Sequence, residues 1–275
     1  MRGLAIGRGL RRAGFTGDYR MFGPRLQFPA AAAAEGYEAA EIETDRALRH
    51  PHLAQASELG RKLAAFGPDL LLVDLFWAPL YWLLPALGCE AWLLVRNCPP
   101  LWLVGPPELR FDAGRFARIL AIEPVAHAVL KERIDPIVIV NPDECLPKTA
   151  LRERCGISAD RVLVAVTHAG QRGEIEVLRE AAADEEARGA EVAAFDLFDP
   201  AAPFPIAPWL PGADRIVSGL GYNSFWEARW LGYASRTRFL PFQRSIDDQA
   251  RRSAAYSDYT PRENGADVVA RLVLG

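Results

Sequence analysis

The sequence predicts an α/β protein of two domains, each built on a parallel sheet with helices on its faces. Three observations carry this. Short aliphatic runs recur that are apolar at nearly every position, as in strands buried on both faces. Helical patterns alternate with them, which is the order of a parallel sheet crossed by helices. The alternation is interrupted near 142–158, where proline and polar residues cluster, and then restarts. The boundary is therefore expected there, giving domains 1–150 and 151–275.

The elements follow in order. MRGLAIGRGLRRAG reads as an arginine-rich helix, and PAAAAAEG (29–36) as a helical segment or a loop. HLAQASELGRKLAAFG (52–67) reads as one amphipathic helix ended by Gly67 and Pro68. DLLLVDLF (69–76), EAWLLV (90–95) and DPIVIV (135–140) read as buried strands. The apolar stretch leading into EAWLLV is broken by Pro79, Pro85 and Gly88, so it reads as a core helix rather than a membrane span. In the second half, RVLVAVT (161–167), EVAAFDLF (191–198), DRIVSG (214–219) and RTRFLP (236–241) read as strands. EIEVLREAAADEEARG (174–189) is a helix ended by Gly189.

Composition narrows the function classes. Fifty per cent of the 275 residues are hydrophobic and 24% charged, a globular balance. The formal net charge of −3 gives no electrostatic case for nucleic acid. Cys89, Cys98, Cys145 and Cys155 form no C-x-x-C pair. They read as free thiols of a reducing compartment, so a cytoplasmic protein without a zinc or redox motif is expected. His50, His52 and His127 read as surface or packing residues.

Three stretches at expected strand ends carry candidate ligand chemistry, because helix N-termini there offer unpaired N–H groups. In THAGQRGE (167–174), Gly170 and Gly173 allow a tight turn beside an anion, Arg172 adds positive charge, and His168 stands in the same loop. In SGLGYNSFWEARWLGY (218–233), Gly219 and Gly221 let backbone approach a ligand closely. Ser224 and Glu227 have the spacing of a capping box. Glu227 also has two adjacent acceptor oxygens, which match the two hydroxyls of a ribose. In PFQRSIDDQ (241–249), Ser245 and Asp248 fit a helix cap, while Asp248 and Gln249 together are suited to sugar hydroxyls.

The order of these stretches, in ADRIVSGLGYNSFWEARWLGYASRTRFLPFQRSIDDQARRSA, resembles the C-terminal donor-binding domain of GT-B glycosyltransferases. The branch it looks most like contains the peptidoglycan N-acetylglucosaminyltransferases. The resemblance covers 160–273 and implies two Rossmann-like domains facing a cleft. It places the donor ribose on Glu227 and the donor sugar on Asp248 and Gln249. The phosphates fall near Gly219, Gly221, Asn223 and Ser224, with the loop of Gly170, Arg172 and Gly173 close by. It implies a nucleotide diphosphate sugar as co-substrate, a UDP-sugar as in that branch, with no metal or other cofactor. The acceptor is unspecified: a small molecule, lipid or glycan. FGPDLLLVDLFWAPL (66–80) resembles the family's strand that ends at the cleft, which makes Asp74 the candidate base.

Two departures stand out. Arginine and serine follow the Asp-Gln pair where the family often has asparagine. RGLAIGRGLRRAG resembles the family's first helix, but the strand and Gly-His loop that open the family do not precede it. The expectation is an N-terminal domain lacking its first strand, low transferase activity, and a coding sequence that starts earlier. A nucleotide-sugar hydrolase, a 2-epimerase and a non-catalytic nucleotide-sugar binder are the alternatives on the same fold.

Overall fold

The computed structural model describes residues 1–24, 35–40, 50–105, 109–124 and 130–275. The alanines at 30–34 and His127 lie outside these residues. In chain order the α-helices are α1 (Arg2–Arg12), α2 (Pro51–Ala56), α3 (Glu58–Phe66), α4 (Leu84–Leu87), α5 (Lys148–Cys155), α6 (Glu174–Ala187), α7 (Tyr222–Trp230), α8 (Gln249–Ala255) and α9 (Gly265–Leu274). The strands are β1 (Met21–Gly23), β2 (Tyr37–Ala39), β3 (Leu70–Asp74), β4 (Glu90–Val95), β5 (Arg118–Ala121), β6 (Glu132–Arg133), β7 (Leu163–His168), β8 (Glu191–Asp196), β9 (Arg215–Gly219) and β10 (Thr237–Leu240). Every strand pair is parallel. The protein is thus of the α/β class with parallel sheets.

The chain forms two compact units, Thr16–Asp135 and Met1–Phe15 together with Pro136–Gly275. The division falls at 135 rather than 150, and the first helix belongs with the C-terminal residues. Its reason is local: α1 buries Leu4, Ala5, Ile6 and Leu10 and packs on α9. A side-chain carbon on Gly9 would come within 2.6 Å of the Ala266 carbonyl oxygen, so glycine is what lets the helices meet. Arg12 holds the same junction through Glu144 at 3.0 Å and Asp267 at 2.6 Å. Gly9→Ala is therefore expected to lose about 1–3 kcal/mol to overpacking. That outweighs the helix-propensity gain of about 0.5–1 kcal/mol. Urea unfolding reads the sign, and a stabilised variant would contradict this packing.

In the unit 16–135, β3 to β6 form one sheet in the order β3-β4-β5-β6, with β3 at an edge, and β1 pairs with β2 separately. The single helix expected over 52–67 is two. Ser57 leaves helical conformation at φ −64°, ψ 160°, and its hydroxyl accepts the Gly60 N–H at the start of α3. A serine that can cap competes with helix continuation. The expected core helix before β4 is reduced to a 3₁₀ turn at Ala78–Leu80 and the single turn α4, as its prolines require.

DPIVIV is buried but is not a strand. Ile137 N–H donates to the Tyr222 hydroxyl at 2.9 Å, and Val138 exchanges hydrogen bonds with the Asn264 amide at 3.2 and 3.0 Å. Side chains take the place of a ladder, which meets the same demand that buried backbone groups be paired.

The C-terminal unit has the sheet order β10-β9-β7-β8. β7 is buried at all six positions, which explains its unbroken apolar reading. β7 pairs with β8 through His168↔Asp196 and with β9 through Thr167↔Ser218.

Candidate functional site

In that order the chain runs from β7 to β8 on one side, then crosses back to place β9 on the other. The strand order reverses between β7 and β9. Outside the carboxyl ends of two such strands the loops part and leave a crevice, which is where open parallel sheets bind ligands.

The residues at those two ends are Thr167 and His168 on β7, and Ser218 and Gly219 on β9. Thr167 donates to the Ser218 hydroxyl at 3.1 Å, tying the ends together. A pocket of about 50 Å³ opens here, lined by His168, Asn223, Ser224 and Glu227 and by the loops after β8. It has room for one group of a ligand, and a nucleotide, which needs a site of several hundred Å³, would extend beyond it.

Helix α7 starts at this pocket. Its N-cap is Gly221, with no side-chain cap, so the positive end of its dipole faces the pocket without a capping side chain. Gly219 and Gly221 both have ordinary backbone angles among the residues described, and Gly221 sits at φ −69°, ψ 164°. A side-chain carbon at 219 would make only ordinary contacts, at 3.4 Å from Phe242 and 3.5 Å from His168 Nδ1. One at 221 would meet nothing within 4 Å. Neither strain nor packing demands glycine at 221. What a side chain there would fill is open space at a helix start.

The capping box does not form. Helix α7 begins at Tyr222, so Ser224 is its third residue and Glu227 its sixth, too deep to reach the cap. Glu227 is instead 7% exposed and lines the pocket. Among the described residues no hydrogen bond engages its carboxyl group. Burial raises it from the usual carboxyl range to about 8, with the charge of the Met1 amine pulling the other way. A buried polar group without a partner is costly and calls for an explanation in binding or catalysis. The tryptophan beside it is structural. Trp226 is fully buried against Tyr259, with ring centroids 5.6 Å apart, while Phe225 reaches Phe239 of β10.

The loop after β7 is arranged around a carboxylate of its own. Glu174, the first residue of α6, accepts from Gln171 N–H at 3.0 Å and Arg244 at 2.5 Å, and lies 3.0 Å from His168 Nε2. Burial pushes the Glu174 carboxyl up, but the Arg244 and Gln171 hydrogen bonds and the charges of Arg244 and His168 outweigh it and hold it below the usual range. A side-chain carbon at Gly170 would come within 2.6 Å of Glu174 Oε2 and 2.7 Å of His168 Cε1, so any other residue there would push on the Glu174 and His168 side chains. Gly173 caps α6 at φ 84°. Arg172 lies over the Phe198 ring at 4.8 Å and does not line the pocket.

After β10, the cap of α8 is Asp248 rather than Ser245: its carboxylate accepts Arg251 N–H at 3.0 Å. Gln249 is buried, and its amide oxygen accepts Phe242 N–H at 2.8 Å. Both therefore have structural work in the loop that presents Phe242, whose ring lies 5.7 Å from the His168 ring. Glu174, Phe242 and Arg244 were not singled out by the sequence reading although they lie inside the quoted stretches. Tyr233 carried no signal except its place at the end of one.

In the other unit, Asp74 ends β3 and is followed by Leu75 at φ 65°, the one non-glycine residue with positive φ among those described. The Leu75 carbonyl accepts Trp102 Nε1–H at 3.1 Å, which holds this strained turn in place. Arg96 and Asn97 follow β4 and are buried, with Asn97 N–H donating to the Glu123 carboxylate at 2.5 Å. Among the described residues no group of three or more His, Cys, Asp or Glu gathers as metal ligands would, and no helix is long and apolar enough to cross a membrane. The four cysteines are free and half-buried, and burial raises each thiol.

Fold and pocket together define a parallel α/β protein of two units, with a helix-start pocket at the strand-order reversal of its second sheet. Among solved structures the chain is similar to sucrose-phosphate synthase from Thermosynechococcus elongatus, with a TM-score of 0.45 and 11% identity over 98% of this chain and 82% of that one. No family model and no curated protein matches the chain.

Proposed function

We propose that the protein is a nucleotide-sugar-dependent glycosyltransferase. The observation that carries this reading is Glu227: a buried carboxyl group without a hydrogen-bond partner, lining a pocket at the uncapped start of α7. Two adjacent carboxylate oxygens suit the two hydroxyls of a ribose. The N–H groups of the first turn, which no side chain caps, suit a diphosphate without a metal. The open space in front of Gly221 gives the phosphates a close approach to backbone. The order of these features along the chain is that of GT-B donor domains, which supports the same reading.

In this reading the C-terminal unit binds the donor, and the unit 16–135 binds the acceptor with Asp74 as its base. The base takes the acceptor hydroxyl proton as the oxygen displaces the nucleoside diphosphate at the anomeric carbon. The α7 N–H groups stabilise the charge that builds on the leaving diphosphate. Asp248 and Gln249 contact the donor sugar with the polar atoms their structural bonds leave available.

Calorimetry with ADP, GDP, UDP, CDP and dTDP and their common sugars tests the nucleotide reading, and failure of all of them to bind would overturn it. Turnover of the bound sugar nucleotide without acceptor would instead identify a hydrolase or an epimerase. For Asp248→Ala the expected stability loss is about 0.5–2 kcal/mol from the cap. For both Asp248→Ala and Gln249→Ala, affinity for the nucleotide sugar should fall well beyond that for the free diphosphate. An equal fall for both ligands would leave the two residues with loop-shaping work alone.

A further inference from the structure

Behind the pocket lies a second chamber of about 20 Å³, closed on one side by Glu227 and lined also by Thr167, Ser218, Ser224 and Tyr233. It shares Thr167, Ser224 and Glu227 with the outer pocket, so the Glu227 side chain stands between the two. Most polar groups around the chamber already have partners. Thr167 donates to Ser218, Ser218 lies 3.4 Å from the Gly219 carbonyl, and Thr237 donates to the Tyr233 carbonyl at 2.8 Å. The Tyr233 hydroxyl has no hydrogen-bond partner, although Tyr233 is only 2% exposed. Glu227 is buried too, at 7% exposure, and lines both the chamber and the outer pocket. An orphaned hydroxyl and a buried carboxyl group therefore belong to one small chamber, whose wall also includes Ile206, Leu210 and Ile216.

We propose that this chamber binds one ordered water, which links the Tyr233 hydroxyl to the Glu227 carboxyl group and makes Tyr233 the positioning residue for Glu227. The size is right, since a chamber on the order of 10–15 Å³ or more takes one water and this one does not take two comfortably. The chemistry is right as well. Tyr233 O–H donates to the water, the water donates to a Glu227 oxygen, and the Ser224 hydroxyl is a third partner within the lining, which makes up the usual set of about three bonds. Burial alone would drive such groups to find partners, and each is close enough to act on the other: the Glu227 charge helps to raise the Tyr233 hydroxyl, after burial itself and together with Cys145, while Arg236 opposes. The charged group facing Glu227 from α1 is the Met1 amine. The water site stands on its own geometry; its consequence for ligand binding, that the carboxyl group is held toward the outer pocket, rests on the proposed function.

The test does not need a nucleotide. A high-resolution crystal structure of the wild-type protein should show a water within hydrogen-bond distance of both Tyr233 Oη and a Glu227 carboxyl oxygen, and an empty or differently bonded chamber would overturn the proposal. The second readout is the titration of Glu227 by carbon NMR on glutamate-labelled protein, with the signal assigned by its loss in Glu227→Gln. In Tyr233→Phe the ring packing is kept but the donor behind the water is lost. The Glu227 midpoint should move upward by roughly half a unit or more, because a hydrogen bond to the ionised form favours that form. A purely packing role for Tyr233 leaves the midpoint where it is, and that result would sink the positioning role. Failure of every nucleoside diphosphate to bind would remove the proposed function but leave both of these readouts intact.

Discussion

Glu227→Gln is expected to weaken nucleoside diphosphate binding by about 1.5–3 kcal/mol near pH 9, the range for hydrogen bonds to a charged group, and much less near pH 6. The dependence on pH follows from burial. Glu227 keeps its proton up to about 8 in the free protein. Below that, the wild-type carboxylic acid and the glutamine amide offer a ribose similar hydrogen bonding. Above it, the wild type presents two charged acceptors and the variant does not. Wild-type affinity should therefore rise with pH through about 8, and the variant profile should be flat. The same group makes a second, ligand-independent mark. In the unfolded chain its carboxyl releases the proton near the ordinary 4.5, whereas the folded protein holds it to about 8. Between those values the folded state binds more protons, so its stability falls as pH rises, and the loss is complete above the folded value. Unfolding midpoints of the nucleotide-free protein at the two ends of this window should show a decline in the wild type that Glu227→Gln reduces. Parallel pH profiles for the two proteins would show that Glu227 is not a buried acid, and the functional reading would lose its main support.

The largest stability effect is expected at Arg252. Its side chain is fully buried, forms an ion pair with the Asp247 carboxylate, which is 9% exposed, and lies 5.8 Å from the Tyr222 ring. Arg252→Ala takes this countercharge from a buried carboxylate and opens a cavity beside α7. Breaking a buried pair from one side costs about 3–5 kcal/mol. Asp247 directly precedes Asp248 and Gln249, so the loop after β10 should loosen with it. Denaturant unfolding measures the loss, and a change below about 1 kcal/mol would show that the pair carries no such weight. Pairing Arg252→Met with Asp247→Asn should recover part of the stability, since the charge left behind is then neutral.

The α/β class and six of the ten described strands, β3, β4 and β7 to β10, lay open in the sequence, because a strand buried on both faces must be apolar along its length, as β4 and β7 are. The short strands β1, β2, β5 and β6 were not legible in this way; of these only β6 lay beside an expected strand. The same apolar signal misled at 135–140, because burial is all that it reports. Whether Val138 pairs with a strand or with Asn264 is decided by a residue 126 positions away. The site divides likewise. That Glu227, Asn223 and Ser224 stand at a helix start was legible from the glycines before them. That Glu227 is a buried acid rather than half of a capping box depends on where α7 begins, and the pocket depends on β9 taking its place on the far side of β7 from β8. Asp248 shows the limit from the other direction: its residue type suits both a sugar hydroxyl and a helix cap, and the fold gives it an N–H to cap. Local chemistry is written in residue type and spacing, whereas partners, burial and charge state come from chain segments that only folding brings together.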